Sequence, residues 1–112
     1  MNLEDYLLHL KALSSLTRFR ILNLLYQTDN VLTQSQIVDI LEVSKSNISR
    51  HSKILHNSNL IIEWKHGKHI YYHLNPNLKP KSILSILKEF QKEPILQKDL
   101  KKLKQQTKQQ TK

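Results

Sequence analysis

Apolar residues recur every three or four positions near the start of the chain, the spacing that places side chains on one face of an α-helix. One such stripe predicts a helix over residues 3–13, and a second predicts a helix over residues 16–26. The second segment is apolar on more than one side, which favours a position at the centre of the core. A polar break at residues 28–30 separates it from the following segment.

Two further helices are predicted next, each beginning at a residue that can cap a helix. Thr33 is followed three positions later by Gln36, which is the spacing of a capping box. Ser44 can cap a polar helix over residues 45–57, which we call the recognition helix. Asn59 follows it, and asparagine tolerates the left-handed conformation that often ends a helix.

The pattern then changes from helical to extended. Residues 60–65 and 69–74 are rich in β-branched and aromatic side chains, which predicts two strands. Between them lies Gly67, the single glycine of the chain, which can adopt a positive φ without steric cost. The sequence therefore predicts a β-hairpin that turns at this glycine.

The last third of the chain contains two further helical segments and a polar end. Apolar spacing predicts helices over residues 82–91 and 95–104, and Pro94 between them should end or kink the first. Residues 105–112 contain no apolar side chain and are expected to be disordered. We therefore predict one domain, residues 1–104, followed by a disordered basic tail.

The order of these elements predicts a fold class. Five to six helices with a small β-hairpin make a mainly α protein, and 112 residues suffice for one compact domain. A short helix, a tight turn, a polar helix and then a hairpin are the parts of a winged helix-turn-helix, which inserts its second helix in the major groove of DNA.

Composition narrows the possible partners. Lys and Arg total 18 against 9 for Asp and Glu, a net charge of +9 that favours a polyanion such as nucleic acid. The chain has no cysteine, which excludes disulfides and thiolate metal sites. No apolar run reaches the ~20 residues of a membrane span, and Glu4 and Asp5 stand where a signal peptide carries positive charge. We expect a cytoplasmic protein without a membrane partner.

The recognition helix has the composition that contact with DNA requires. No acidic residue lies between Lys45 and Asn59, and Ile48 and Leu55 can face the core from one side. Arginine and lysine can donate to guanine edges, and asparagine can bond adenine in a bidentate way. The candidate DNA contacts on this helix are Lys45, Ser46, Asn47, Ser49, Arg50 and Lys53.

The predicted hairpin would present a basic tip to phosphates, in the manner of a wing laid along the minor groove. Its candidate contacts are Lys65, His66 and Lys68. Tyr71 and Tyr72 alternate faces, so one of them should pack inward. Trp64 is expected in the core rather than stacked on bases.

Six histidines raise the question of a metal site. His51 and His56 are five positions apart and poorly aligned on a helix, whereas His69 and His73 share a strand face. Because a firm site needs three or four converging ligands, we predict no metal site. No glycine-rich phosphate loop or nucleophile elbow is present, so we predict no catalytic residue, no cofactor and no enzyme activity.

In these features the chain resembles the ArsR-type winged-helix repressors, the arsenic and metal-sensor family. The resemblance rests on residues 13–22 (LSSLTRFRIL) and 43–51 (VSKSNISRH), with further matches at residues 59–61 and 71–74. It covers about residues 5–90 of the chain. It implies a homodimer, formed by the first and last helices, that represses transcription by binding an inverted repeat in double-stranded DNA.

The resemblance also implies which side chains contact DNA: Lys45, Ser46, Ser49 and Arg50. Apolar stripes at both ends of the chain fit the implied dimer, although these residues could equally belong to the protein's own core. The stripes are Leu3, Tyr6, Leu7 and Leu10 at the start and Ile83, Ile86, Leu87 and Phe90 near the end.

A winged-helix protein-interaction module and an RNA-binding module are the alternative functions. The basic end from residue 97 either adds phosphate contacts or only keeps the chain in solution.

Three departures from the family pattern concern the ligand and the packing. The Cys-x-Cys metal pair of many members is replaced by Thr33 and Ser35, and residues 79–103, where others carry histidine ligands, contain no histidine. The inducer is therefore left open. Ser52 stands where an apolar residue is usual, which predicts a looser seat for the recognition helix.

Overall fold

The computed structural model describes residues 2–78 and 83–110. Within them the chain forms six helices and three strands. In chain order these are α1 (Leu3–Ala12), α2 (Leu16–Thr28), β1 (Leu32–Thr33), α3 (Gln34–Leu41), α4 (Lys45–Asn57), β2 (Ile61–His66), β3 (His69–Leu74), α5 (Leu84–Glu89) and α6 (Pro94–Gln110). This order confirms the predicted mainly α winged helix-turn-helix with a β-hairpin, in which α4 is the recognition helix.

Side-chain caps begin three of the helices where the sequence has serine or threonine. Ser15 and Ser44 each accept a hydrogen bond at 3.3 Å from the third amide of their helix. The predicted capping box is confirmed, because the Gln36 amide donates to Thr33 Oγ1 at 3.1 Å and the Thr33 amide donates to Gln36 Oε1 at 2.8 Å. These bonds satisfy backbone donors that have no partner inside the helix.

Left-handed residues end three of the helices. Asp29, Glu42 and Asn59 have φ values of 50°, 57° and 62°, which confirms the conformation predicted for Asn59. Glu42 lies in the three-residue connection between α3, which ends at Leu41, and α4, which begins at Lys45. This tight turn sets the angle at which the recognition helix leaves its partner helix.

The strands form one antiparallel sheet in the order β1-β3-β2. The hairpin closes at the pair His66 and His69, and Gly67 adopts a φ of +63°, which confirms the predicted glycine turn. The two-residue strand β1 pairs Leu32 with Tyr72 and so attaches the start of α3 to the wing. Because β1 is so short, its sequence carries no alternating pattern that could predict it.

Helix α2 supplies the centre of the core, as its sequence predicts. Its fully buried apolar side chains are Ile21, Leu22, Leu24 and Leu25. Ile48 and Leu55 of α4 are also fully buried, so the recognition helix packs on this core through the face that the sequence predicts. Tyr72 is the inward member of the tyrosine pair, and its hydroxyl accepts a hydrogen bond from Gln34 Nε2 at 3.0 Å.

The prediction of a core position for Trp64 is wrong. Its side chain is 39% exposed and stacks on Tyr71, with ring centroids 5.8 Å apart and an interplanar angle of 15°. The reason is the period of two along a strand, which turns Ile61 and Glu63 towards the helices and Trp64 to the outer face. The aromatic pair is therefore a cross-strand contact on the outside of the wing.

The C-terminal region has the predicted helix break but a longer last helix than expected. Helix α5 ends at Glu89 and α6 begins at Pro94, and residue 82 of the predicted segment lies outside the described residues. Helix α6 continues to Gln110, beyond the predicted helix end at residue 104, and residues 111 and 112 of the predicted tail lie outside the described residues. Lysine and glutamine are good helix formers, so the turns packed through Leu96 and Leu103 can propagate into the polar end.

Candidate nucleic-acid interface

The recognition helix α4 separates a buried face from a polar one. Ile48, Ser52 and Leu55 point into the core and have no exposed surface. The side chains predicted to contact DNA are all exposed: Lys45, Ser46, Asn47, Ser49, Arg50 and Lys53. The helix thus presents a polar surface without an acidic residue over its first three turns.

Two of these side chains interact with each other. Arg50 Nη2 donates to Asn47 Oδ1 at 3.0 Å on the exposed face of the helix. The bond holds the guanidinium beside the amide, three positions away on the same side of α4. Either group can exchange this bond for one to a base edge, because both lie in solvent.

Lys53 lies on the same surface but is paired with an acid. Its Nζ donates to Glu63 Oε2 at 2.6 Å, and the Glu63 side chain is only 14% exposed. This hydrogen bond and the carboxylate charge raise the pKa of Lys53. The pair joins α4 to β2, so Lys53 holds the wing against the recognition helix in addition to facing solvent. No pattern in the sequence predicts this contact.

The wing extends the basic surface beyond the helix. Lys65, His66 and Lys68 surround the turn at Gly67, and all of them are exposed. The hairpin register sets His66 opposite His69, so two imidazoles and two ammonium groups lie within the five residues 65–69. This tip can supply several donors to phosphate oxygens.

Arg18 is a residue of the site that the sequence reasoning missed. Its Nε donates to the Ala12 carbonyl at 2.5 Å, and its Nη1 lies 3.1 Å from His51 Nδ1 on the recognition helix. A guanidinium only donates, so His51 Nδ1 accepts this bond and carries no proton there. Burial of the ring, and then the charges of Arg18 and Arg50, lower the pKa of His51. The available signal was a pair of arginines, Arg18 and Arg20, at the start of a helix whose pattern predicts a place in the core.

A second arginine of α2 attaches the last helix. Arg20 donates from Nε and Nη2 to the two carboxylate oxygens of Asp99, both at 2.9 Å, and from Nη2 to the Leu41 carbonyl at 3.1 Å. Asp99 has no exposed surface, which is unusual for an acid and indicates a specific partner. Its signal in the sequence is that it is the only acid among the lysines after residue 96.

The turn before the recognition helix is also held by α6. Glu42 accepts from Lys98 Nζ at 3.3 Å and lies 3.0 Å from Lys102 Nζ. These two lysines, Lys102 first, lower the pKa of Glu42. Because these ion pairs are exposed, they contribute little stability. Like the buried bridge between Arg20 and Asp99, they join α6 to the helix-turn-helix.

Histidines do not gather into a metal site in the part of the chain that is described. No three His, Asp or Glu side chains converge there. His56 Nδ1 lies 3.3 Å from the Ile61 carbonyl, and His73 Nδ1 lies 2.7 Å from the Leu74 carbonyl. Thr33, at one of the two family cysteine positions, is occupied by its capping box.

Large apolar side chains remain exposed on α1, at the start of α2 and just after α5, and together we call them the apolar surface. They are Leu3, Leu7, Leu8, Leu16 and Phe90. A groove of about 480 Å³ follows Leu16, Phe19 and Phe90. By contrast, Ile83 and Leu87 are fully buried, so part of the C-terminal stripe belongs to the protein's own core.

No helix within residues 2–78 and 83–110 is long and apolar enough to cross a membrane.

Comparison with known proteins gives consistent relatives. Residues 15–63 match the family model described as bacterial regulatory protein, arsR family. The transcriptional repressor SdpR of Bacillus subtilis is 38% identical over 73 residues, which cover 65% of this chain and 79% of that protein.

Solved structures agree on the fold. The transcriptional repressor PagR of Bacillus anthracis superposes with a TM-score of 0.63 at 30% identity, covering 79% of this chain and 94% of PagR. HlyU from Vibrio cholerae superposes with a TM-score of 0.65 at 24% identity, covering 79% of this chain and 89% of HlyU.

Proposed function

Because the chain belongs to the ArsR family of bacterial transcriptional regulators, we propose that it is a repressor that binds a specific duplex DNA sequence as a homodimer. The observation that carries this proposal is the polar face of α4, which is exposed, basic and free of acids from Lys45 to Asn59. Its position on a rigid core, beside a basic wing, is what insertion in a major groove requires.

The exposed side chains of α4 divide between base edges and phosphates by their chemistry. Arg50 can donate two hydrogen bonds to a guanine, and Asn47 beside it can bond an adenine. Ser46 and Ser49 are small enough for close approach, and Lys45 can bond a guanine or a phosphate at the start of the helix. Lys53, which is paired with Glu63, adds a positive charge near the phosphates.

The wing tip adds contacts that hold the protein on DNA without selecting a sequence. Lys65, Lys68 and His66 are exposed and can donate to phosphates on either side of the minor groove. We expect these residues to contribute to affinity for all duplexes about equally. The proposal includes a cytoplasmic location and no membrane partner, since a regulator of this kind acts where the DNA is.

The dimer in this proposal uses the apolar surface of α1, Leu16 and Phe90. Exposed leucines on one helix are costly in water, and a second copy would cover them on both protomers at once. Two-fold symmetry then sets the paired recognition helices about one turn of DNA apart, ~34 Å, and requires an inverted repeat.

Selection of binding sites from random duplex DNA tests the proposal. We expect enrichment of an inverted repeat whose half-sites are separated by about one helical turn. Failure to enrich any sequence, with the protein still folded, would contradict sequence-specific binding.

A specific observation supports one rival function. Trp64 and Tyr71 form an exposed stack on the wing, and RNA-binding proteins use such aromatic faces for unpaired bases. Competition of single-stranded RNA against the selected duplex decides between the two. We expect the duplex to be retained, whereas efficient displacement by RNA would favour the rival.

A further inference from the structure

The basic surface formed by α4 and the wing contains one acid, Glu63. It is the only acidic residue among residues 43–88 of the sequence, and it lies in β2, the strand that packs against α4. A negative charge on a surface that contacts phosphates opposes binding unless the charge is neutralised. The contacts of Glu63 show what this acid does there.

The strand register fixes the position of the Glu63 carboxylate. Glu63 lies opposite the fully buried Tyr72, so its side chain is on the face of the hairpin that turns towards the helices. The side chain is only 14% exposed, and its Oε2 accepts a hydrogen bond from Lys53 Nζ at 2.6 Å. The protein therefore shields most of the carboxylate and directs it to Lys53.

Lys53, by contrast, reaches solvent from the recognition helix. Its side chain is 57% exposed and lies three positions after Arg50. The hydrogen bond and the charge of Glu63 raise the pKa of Lys53, so its amine stays protonated. An ammonium group has three donors, and Glu63 uses one of them. Lys53 is thus a cation in a fixed position that can still donate to a phosphate.

A fixed lysine and a free lysine respond differently to DNA. On random duplex a protein binds in many registers through phosphate contacts, and a free lysine can follow the phosphates because its four-carbon stem is flexible. A lysine held by a carboxylate meets a phosphate only when the protein lies in one register, and its charge is partly cancelled in all others. Such an ion pair disfavours random binding more than specific binding.

We propose that Glu63 is a specificity-determining residue that acts through Lys53. On random duplex it keeps the Lys53 ammonium from following the phosphates, whereas on the selected duplex the same ammonium bonds Glu63 and one phosphate together. This inference rests on the proposed function, since it concerns how the proposed DNA surface distinguishes one duplex from another. Glu63 is a positioning residue, because it acts on DNA only through Lys53.

Glu63→Gln tests the proposal, because it removes the charge and nearly keeps the shape of the side chain. We expect the variant to bind random duplex more tightly, since Lys53 is then free to contact a phosphate. The log–log salt slope should steepen by about 0.9, so that between about 50 and 200 mM salt the affinity falls about 3.5-fold further than that of the unchanged protein. Fluorescence anisotropy of a labelled duplex measures affinity and slope.

The preference for the selected duplex should decrease in Glu63→Gln. The new contact adds affinity on random duplex only, so the ratio of the two affinities should fall by up to about fivefold, the value of an exposed ion pair. Glu89→Gln is the matched control, because Glu89 is an exposed acid of α5 and the variant has the same net charge. It should preserve both the salt slope and the preference.

A Lys53→Gln background separates an effect through Lys53 from direct repulsion of DNA. There, Glu63→Gln should leave the affinity for random duplex unchanged. If it raises this affinity as much as it does alone, the carboxylate repels DNA directly and the role through Lys53 is overturned. Weaker binding of both duplexes by the single variant Glu63→Gln, or a result equal to that of Glu89→Gln, would also overturn the proposal.

The DNA-free protein tests the contact itself. In an NMR titration the pKa of the Lys53 side chain should be lower in Glu63→Gln, and an unchanged pKa would overturn the pair. If the unchanged protein selects no duplex, the proposed function fails and the specificity role fails with it. The random-duplex slope and the Lys53 titration then still decide whether Glu63 restrains Lys53.

Discussion

At the scale of single residues, Tyr72 joins the wing to the helix-turn-helix. It is fully buried in β3, and its hydroxyl accepts a hydrogen bond from Gln34 at the start of α3. Burial raises the pKa of this hydroxyl, and the nearby side chains of Ser52 and Gln34 partly oppose the shift. Ser52 is itself fully buried on the core face of the recognition helix, so polar side chains from β3, α3 and α4 lie close together at this point.

Removal of this hydroxyl should destabilise the protein. Tyr72→Phe leaves the buried Gln34 amide without its partner, which we expect to cost about 1–2 kcal/mol of unfolding free energy. Urea denaturation measures the change. Tyr71→Phe on the outer face is the control and should stay within about 0.5 kcal/mol of the unchanged protein. A Tyr72→Phe protein as stable as this control would contradict the role of this hydroxyl.

His51 should make stability depend on pH. Its pKa is lowered in the folded protein, chiefly by burial and then by Arg18 and Arg50, so the unfolded chain binds a proton more readily. Stability is therefore present above the unfolded pKa of about 6.5 and falls as pH decreases below it.

Between about pH 6.5 and pH 5, we expect the free energy of unfolding to fall more for the unchanged protein than for the His51→Gln variant. Urea denaturation at each pH measures this free energy. His66→Gln at the exposed wing tip is the control for loss of one imidazole. If His51→Gln shows the same pH dependence as the unchanged protein, the contact with Arg18 does not depend on the protonation of His51.

Residues whose structure depends on near neighbours could be predicted, whereas those that depend on distant ones could not. The capping box at Thr33 and the turn at Gly67 follow from four or fewer consecutive residues. Trp64 was misplaced because the strand pattern did not fix which face meets the helices. Lys53 was identified as basic and exposed, but its bond to Glu63 spans ten positions and needs the folded hairpin.

At the scale of elements, α6 supports the recognition helix without touching the proposed DNA surface. The buried Asp99 accepts two hydrogen bonds from Arg20 of α2, and Arg20 also bonds the last carbonyl of α3. Lys98 and Lys102 reach the turn residue Glu42. Helix α6 therefore holds both the core helix and the turn that sets the angle of α4. The sequence predicted this helix but not the bridge, which spans 79 positions.

Breaking the bridge should loosen this support. Asp99→Ala leaves a largely buried guanidinium without its counter-charge, which we expect to cost about 3–5 kcal/mol of unfolding free energy. Asp39→Ala, which removes an exposed acid of α3, is the control and should cost less than about 0.5 kcal/mol.

The double variant Arg20→Met with Asp99→Leu separates the charge from the packing. It should recover much of the loss, because it removes both buried charges together. An Asp99→Ala protein as stable as the Asp39→Ala control would contradict the role assigned to the bridge.

At the scale of the whole molecule, two surfaces of opposite character account for the proposed action. In the proposed function, the basic face of α4 and the wing contacts DNA, and the apolar surface of α1, Leu16 and Phe90 contacts a second copy. Apolar stripes at both ends could be recognised in the sequence, but not which residues remain outside the core. Ile83 and Leu87 are buried, whereas Leu3 and Leu7 are exposed, and the spacing of apolar residues alone does not show which stripe packs on the core.

Leu7→Glu tests the second surface. Leu7 is 52% exposed, so a charge there should leave the monomer folded but disrupt a dimer that buries it. The molar mass measured by light scattering after size exclusion should fall from about twice the chain mass to the chain mass itself, 13.3 kDa. Val31→Glu, at an apolar residue 43% exposed on the α2–β1 connection, should remain a dimer. A monomer before any substitution, or a Leu7→Glu dimer as stable as the Val31→Glu dimer, would contradict this surface.

The most direct test of the account is the salt dependence of binding to the selected duplex and to random duplex, for the protein and for Arg50→Ala. Log affinity should fall linearly with log salt, with a slope of about −0.9 for each phosphate contacted. Arg50→Ala should weaken the selected duplex by about 1–3 kcal/mol more than the random one. Lys104→Ala, at an exposed site on α6, should preserve the preference. A flat salt response, or equal weakening of both duplexes by Arg50→Ala, would contradict base recognition by α4.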